Sequence, residues 1–405
     1  MAEEHTSILL FLNQDNRTST ISWDALKSWI AGLDTLAPVL WGLCLLFLSI
    51  GCWIIYSRNN KSKAQILDAP GFPPVEPLKN FDWETAEPVK IRPFKPKYHL
   101  TMALEKLNPS ELILMDKTYR DRLALRKSLL GEQHDIVVAV NNDSDPRVRE
   151  AVWELYTFLL GTYLPGRYPT MFKLHHQTRR LENLVTGEMW PVVPADTDPT
   201  ILPLETLVKI VDEDFLFLLP EEQNQKDDKK KEPKYILEAY STCFPSGFNP
   251  RKKLGLLLAN IHGPVPHYRE KLERSMDKFF AKVEVGKYVR RVNWTVTTNA
   301  ELFAAFGGTH AAVDEELEKI QPGELDVDQT ILRCERQTLH RLPKSKALVF
   351  AFHTYVYPIQ SIKDEGLGEE LARAIDGLKE GSAPRMHIYK RGAVWGEAVK
   401  AFLRS

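Results

Sequence analysis

The residues best able to do chemistry in this chain fall in three short stretches: Ala259-Asn260-Ile261-His262-Gly263-Pro264-Val265-Pro266, Arg290-Arg291-Val292-Asn293-Trp294-Thr295, and Arg333-Cys334-Glu335-Arg336-Gln337-Thr338-Leu339-His340-Arg341-Leu342-Pro343. In the first, a histidine follows an apolar run and precedes a turn stiffened by two prolines and a glycine. Such a turn holds its neighbours in a fixed geometry, as a metal-ligating imidazole requires. The plain alternative is a histidine satisfied at the end of a helix or strand. The second stretch sets basic and amide groups on alternating positions of a strand. The third packs three arginines and a glutamate into nine residues. Those guanidinium groups could fork onto the carboxylates of a ligand, or pair structurally with Glu335 and neighbouring acids.

Several common chemistries are absent. The sequence has no phosphate-cradling glycine loop, no Gly-x-Ser-x-Gly elbow, no His-Glu-x-x-His pair and no dinucleotide fingerprint. A cofactor-free hydrolase would have to be assembled from scattered residues, and a self-contained nicotinamide enzyme would lack its usual binding turn. A net charge of -1 over 405 residues gives no electrostatic footprint for nucleic acid. Cys44 and Cys52 fall in a long apolar run, which leaves Cys243 and Cys334 as the only thiols elsewhere. That count excludes a disulfide framework, a cysteine-ligated zinc site and an iron–sulfur cluster.

The elements that must position these residues are readable in outline. Helical spacing of apolar side chains predicts helices over residues 109–130 and 145–163, the latter opening on Asp145 with Pro146 at the first helical position. From about residue 170 the period shortens, predicting strands at 214–219, 235–243, 289–297 and 347–355, with further helices at 268–283 and 366–378. Between the first two strands, residues 221–234 carry ten charges and read as a solvated loop. The sum is a mixed α+β domain with an antiparallel sheet.

Ahead of it, residues 36–56 form a run of 21 without a charged side chain, long enough to cross a bilayer core of roughly 30 Å. They predict one transmembrane helix. Arg58, Lys61 and Lys63 follow the run directly, which orients the C-terminal side to the cytosol. The expected protein is thus single-pass, in the endoplasmic reticulum. Residues 1–35 would form a lumenal tail, glycosylated at the sequon Asn16-Arg17-Thr18. Residues 57–98 are rich in proline and predict an extended spacer ahead of a domain over residues 99–405.

In order along the chain, FKPKYHLTMALEKL (94–107), EAYSTCFP (238–245), IHGPVP, RRVNWTV and RCERQTLHRLPKSKALVFAFHTYVYPI resemble the haem-dependent oxidative N-demethylase alpha-subunit family, also called the HRQ family. The resemblance covers about residues 80–405; the apolar anchor and His267, where glycine is expected, depart from it. It implies a PAS-like fold, an antiparallel sheet with flanking helices enclosing haem b. It implies a monooxygenase that uses O2 to attack a methyl carbon of a secondary amine, giving a hemiaminal that collapses to formaldehyde. Electrons would come from NADPH through a separate flavin or iron–sulfur reductase, in keeping with the missing nucleotide motif. A membrane anchor would hold the enzyme on the same surface as such a donor.

Within that picture His262 is the expected iron ligand, with Cys243 as competitor and His175 or His176 behind it. Arg291 and Arg336 would meet propionates or the oxygen face. Gln337 and Asn293 would hydrogen-bond oxygen or substrate, and Glu335 with Trp294 would face a cationic amine. Two other classes compete: a non-catalytic, membrane-anchored PAS-like sensor of haem or another ligand, and a haem-free interaction protein.

Overall fold

The computed structural model describes residues 23–24, 27, 46–52, 66–222, 232–311 and 318–405. By internal contacts the chain divides into Met1–Ala64 and Gln65–Ser405, and the second unit carries the architecture below. Its strands are β1 (Glu105–Leu107), β2 (Val138–Val140), β3 (Phe172–His175), β4 (Arg180–Asn183), β5 (Met189–Pro191), β6 (Asp214–Pro220), β7 (Tyr235–Ser241), β8 (Tyr288–Thr297), β9 (Ile331–Arg341) and β10 (Leu348–Pro358). They form a seven-stranded sheet in the order β1-β8-β9-β10-β6-β7-β2, antiparallel at every pair, and a three-stranded sheet β3-β4-β5.

Strands alternate their side chains between faces, and the register of the large sheet aligns that alternation across four strands. Val289 lies opposite Leu339, and Leu339 opposite Phe350. Phe350 in turn lies opposite Leu216. This row faces the helix α4 (Arg274–Lys282), whose Met276 and Phe280 pack in one cluster with Leu339 and Leu348. The other face carries Phe215, Phe217, Val349 and Ala351 against α1 (Tyr119–Glu132), α2 (Pro146–Phe158) and α3 (Ile201–Ile210). Farther along that face Val296, Leu332 and Tyr355 pack on α5 (Gly368–Gly377) and α6 (Gly392–Arg404).

The expected elements at 214–219, 235–243, 289–297 and 347–355 are β6, β7, β8 and β10. The start of α2 follows its local chemistry: the Asp145 carboxylate accepts the backbone N–H of Arg147 at 2.9 Å, with Pro146 in the first turn. The single helix expected over 109–130 is instead a 3-10 turn, Pro109–Glu111, followed by α1. β9 had no counterpart among the expected strands, because its charged residues hide a segment buried on both faces. Residues 223–231 of the charged loop lie outside the described residues, but the strands it joins are neighbours, with Pro220 opposite Tyr235.

A buried charge network ties α1 to the sheet. The Arg122 guanidinium meets Asp212 at 2.8 Å and that of Arg126 meets Asp214 at 2.7 Å. His353 lies 3.5 Å from Asp212 and 3.4 Å from Glu213. Asp214 also accepts the backbone N–H groups of Cys243 and Phe244 at 2.9 and 2.8 Å. Residues 66–98 of the proline-rich stretch take neither helix nor strand and lie along the domain: Leu67 N–H donates to the Gly161 carbonyl at 2.7 Å, and Phe72 stacks on Phe158 at 3.7 Å. It ends in a strap held by glycines. Tyr98 N–H donates to the Gly377 carbonyl at 3.0 Å, and a Cβ at Gly381 would stand 1.3 Å from the Tyr98 carbonyl oxygen.

The expected mixed α+β fold with an antiparallel sheet is present; what is corrected is the transmembrane helix placed before it. Among the described residues no helix is long and apolar enough to cross a membrane. Of the apolar run, residues 46–52 are described, and they are helical. Residues 36–45 and 53–56 lie outside the described residues, as does the sequon at Asn16. The single-pass anchor, and with it the endoplasmic-reticulum placement and its orientation, does not stand.

Removing one partner of a buried pair leaves the other charge uncompensated. Asp214→Ala should therefore lower unfolding stability by about 3–5 kcal/mol, read from urea denaturation of the full chain.

Candidate functional site

Where the sheet turns its β6–β10 row toward α4, the packing leaves a cavity of about 270 Å³. Leu216, Leu218, Phe350 and Phe352 give it an apolar floor. One wall is the turn from Leu258 to Val265, continued by Tyr268 and Leu272. The strap residues Tyr98, Leu100 and Met102 form another, and His310, Tyr389 and Lys390 close one end.

Strand alternation decides which of the expected residues meet here. Arg291 and Asn293 on β8 lie opposite Gln337 and Glu335 on β9, and all four line the cavity. His262 joins them from the turn. Trp294 and Arg336 occupy the intervening positions and belong to the other face. Trp294 packs with Cys334 and Tyr355. Arg336 donates to the carbonyl oxygens of Leu112, at 3.2 Å, and Glu111. Arg333 likewise serves main-chain carbonyls, those of Leu302 at 3.0 Å and Phe244 at 2.7 Å. These arginines thus neither face the cavity nor pair with Glu335; they satisfy backbone acceptors. Cys243 is buried off the cavity wall, and burial pushes its thiol up to about 12. His175 is in the small sheet, 2.7 Å from Glu182, and His176 follows it in the adjoining turn.

His262 sits at the C-terminal end of the helical turn Leu258–Ile261, and its Nδ1 is 2.9 Å from the Leu258 carbonyl oxygen. A carbonyl can only accept, so Nδ1 carries the proton and Nε2 keeps its lone pair. The ring stacks on Tyr268 at 4.8 Å. Burial first, with Lys253 and Arg291 adding to it against the Leu258 bond, lowers the imidazole to about 4. It is a neutral nitrogen donor at neutral pH.

Two groups on the wall had no signal in the sequence. His310, stacked on Tyr389 at 4.4 Å and hydrogen-bonded to the Ser246 backbone, is held by burial at about 3. Lys390 is buried and bonds Asn293 Oδ1 at 3.0 Å and the Trp294 carbonyl oxygen. Both come from loop or helix-end segments that only the tertiary fold brings to β8.

The polar floor is a connected set. Glu335 Oε2 accepts from Gln337 Nε2 at 2.9 Å and from Asn293 Nδ2 at 3.4 Å. Among the described residues Arg291 has a buried Nε without a partner, and burial lowers its guanidinium. With Lys253, Arg290, Arg291 and Lys390 against Glu335, the wall carries more cations than anions. A neutral imidazole donor, an unpartnered guanidinium and apolar faces suit a flat, anionic, metal-bearing ligand; among the described residues no group of three or more His, Cys, Asp or Glu could hold a bare metal ion.

The family described as haem-dependent oxidative N-demethylase, alpha subunit-like, matches residues 103–400, most of the chain and all of β1 to β10.

Because His262 and His310 sit below the ordinary imidazole value of about 6.5 when folded, the unfolded chain binds more protons than the folded one between that value and about 4. Their contribution to stability is present above pH 6.5 and is lost as pH falls through this window. NMR titration should show both rings neutral from pH 8 to 5; an inflection near 6.5 for either would contradict the burial described.

Proposed function

The chain belongs to the haem-dependent oxidative N-demethylase alpha subunit-like family, and from that premise we propose that its cavity binds haem b and oxidises an N-methylated secondary amine with O2, releasing formaldehyde. Electrons come from NADPH through a separate flavin or iron–sulfur reductase. The observation that carries the reading is the pairing, on one cavity wall, of a neutral His262 with an unpartnered Arg291.

The residues present fit the group. His262 offers Nε2 to the iron, its ring set by the Leu258 carbonyl and the Tyr268 face, so no proton has to leave before it ligates. Arg291, whose Nε has no partner among the described residues, would hold a propionate. Haem, when bound, supplies the redox chemistry with dioxygen, which no side chain here can supply.

The chain's own groups handle the amine. Gln337 and Asn293 hold Glu335 through Oε2, which leaves Oε1 for the N–H of an ammonium or amine. The apolar floor receives the methyl group and excludes water from it. Trp294, on the far face, takes no part in binding the cation.

Hemin titration of the full chain should give a Soret band, and His262→Ala should weaken haem affinity by about 100-fold or shift that band. Unchanged affinity and spectrum would rule His262 out as ligand. With a flavin reductase and NADPH, formaldehyde release from a secondary methylamine should accompany oxygen uptake. Glu335→Gln should raise KM for the amine about tenfold or more, the size of a lost charged hydrogen bond. A haem spectrum with no turnover on any amine would favour a sensor.

A further inference from the structure

Lys390 is the one fully buried cation on the cavity wall whose hydrogen bonds, among the described residues, go only to neutral groups. Its Nζ donates to Asn293 Oδ1 at 3.0 Å and to the Trp294 carbonyl oxygen, and no carboxylate lies within ion-pair distance of it among the described residues. The Asn293 amide is oriented independently, since its Nδ2 donates to Glu335 Oε2 at 3.4 Å and its oxygen must therefore face the lysine. An ammonium has three N–H donors and would leave one unmet in this buried setting, whereas a neutral amine has two. Two acceptors meet two hydrogens, and the remaining lone pair belongs to the cavity.

We propose that Lys390 is a nucleophilic amine that captures small aldehydes in the cavity, first as a carbinolamine and then as an imine. Nζ attacks the carbonyl carbon, and one of its protons passes through Glu335, which lies on β9 opposite Asn293, to the carbonyl oxygen. The second nitrogen proton then passes by way of Glu335 to the hydroxyl, which leaves as water, so that Glu335 ends as it began. One C–N double bond replaces one C–O double bond, one water leaves, and nothing is oxidised or reduced.

The surroundings enlarge the neutral fraction above that of an exposed lysine. Burial first, with Arg291 on β8 adding to it against Glu335 and Cys334 on β9, lowers the ammonium to about 8. His310 faces Lys390 from the adjoining loop, and the Tyr98 and Trp294 rings lie 5.9 and 5.5 Å away, at the outer reach of a cation–π contact. The arrangement is that of a desolvated amine activated by a cationic neighbour, as carbonyl-condensing lysines require. It shares the cavity with the oxidation proposed above without depending on it.

The test uses the haem-free full chain at pH 7, with stoichiometric formaldehyde and cyanoborohydride to reduce any imine, followed by peptide mass spectrometry. Methylation at Lys390 should run about tenfold or more ahead of the exposed Lys117 and Lys287, following its larger free-amine fraction. Methylation no faster than at those surface lysines would overturn the proposal. Asn293→Asp, which places a carboxylate on the ammonium, should slow labelling at Lys390 about tenfold; labelling at the wild-type rate in a folded variant would also overturn it. If that variant does not fold, the rate ratio in the unaltered chain decides. Capture in a protein that takes up no haem keeps this inference and removes the oxidative one, while haem uptake with an inert Lys390 does the reverse.

Discussion

The antiparallel register of β8, β9 and β10 is the constraint from which the site follows. Side chains alternate with a period of two, so a slip of one residue would exchange the faces of every group on a strand. In the observed register Arg291, Asn293, Glu335 and Gln337 face the cavity together. A slip in β9 alone would bring Cys334 and Arg336 to the cavity in place of Glu335 and Gln337. The register is fixed by the far face, where Val296, Leu332 and Tyr355 are buried under α5 and α6. The apolar face thus determines the position of the polar one.

Charged groups in this fold divide into two kinds of work. Arg333, Arg336 and Arg341 end on main-chain carbonyls, and Arg122 and Arg126 end on Asp212 and Asp214, all tying loops and helices to strands. Such groups are costly to bury and costlier to orphan. Arg291 and Lys390 differ in lining the cavity, with no carboxylate within ion-pair distance of either among the described residues. The distinction between a structural and a ligand-facing cation is therefore one of the face each occupies and not of burial.

This explains how far the sequence could be read. The strands β6, β7, β8 and β10 were legible because their aromatic and β-branched residues mark a buried sheet. β9 was not, since its arginines and glutamate read as surface until their carbonyl partners are known. His262 could be singled out from its rigid turn, and the alternation in Arg290-Arg291-Val292-Asn293 suggested a face. Trp294 and Arg336 were included with the site because composition alone does not fix which face a residue takes. His310 and Lys390 gave no local sign, as their importance comes from segments that meet β8 only in three dimensions. The apolar run at 36–56 was read from its hydropathy, length and flanking charges, and of it only residues 46–52 are described.

The strap at Tyr98 has a consequence for how the protein is made. Leu100 is tied to Ser382 across 282 positions, and Gly377 and Gly381 lie so close to the strap that no side chain fits between them. One wall of the cavity and the segment that pins it are thus synthesised far apart in time. On the ribosome the cavity stays unwalled until residues 377–390 have emerged. A chamber walled by Tyr98 and Leu100 can therefore be complete only after translation has passed that point.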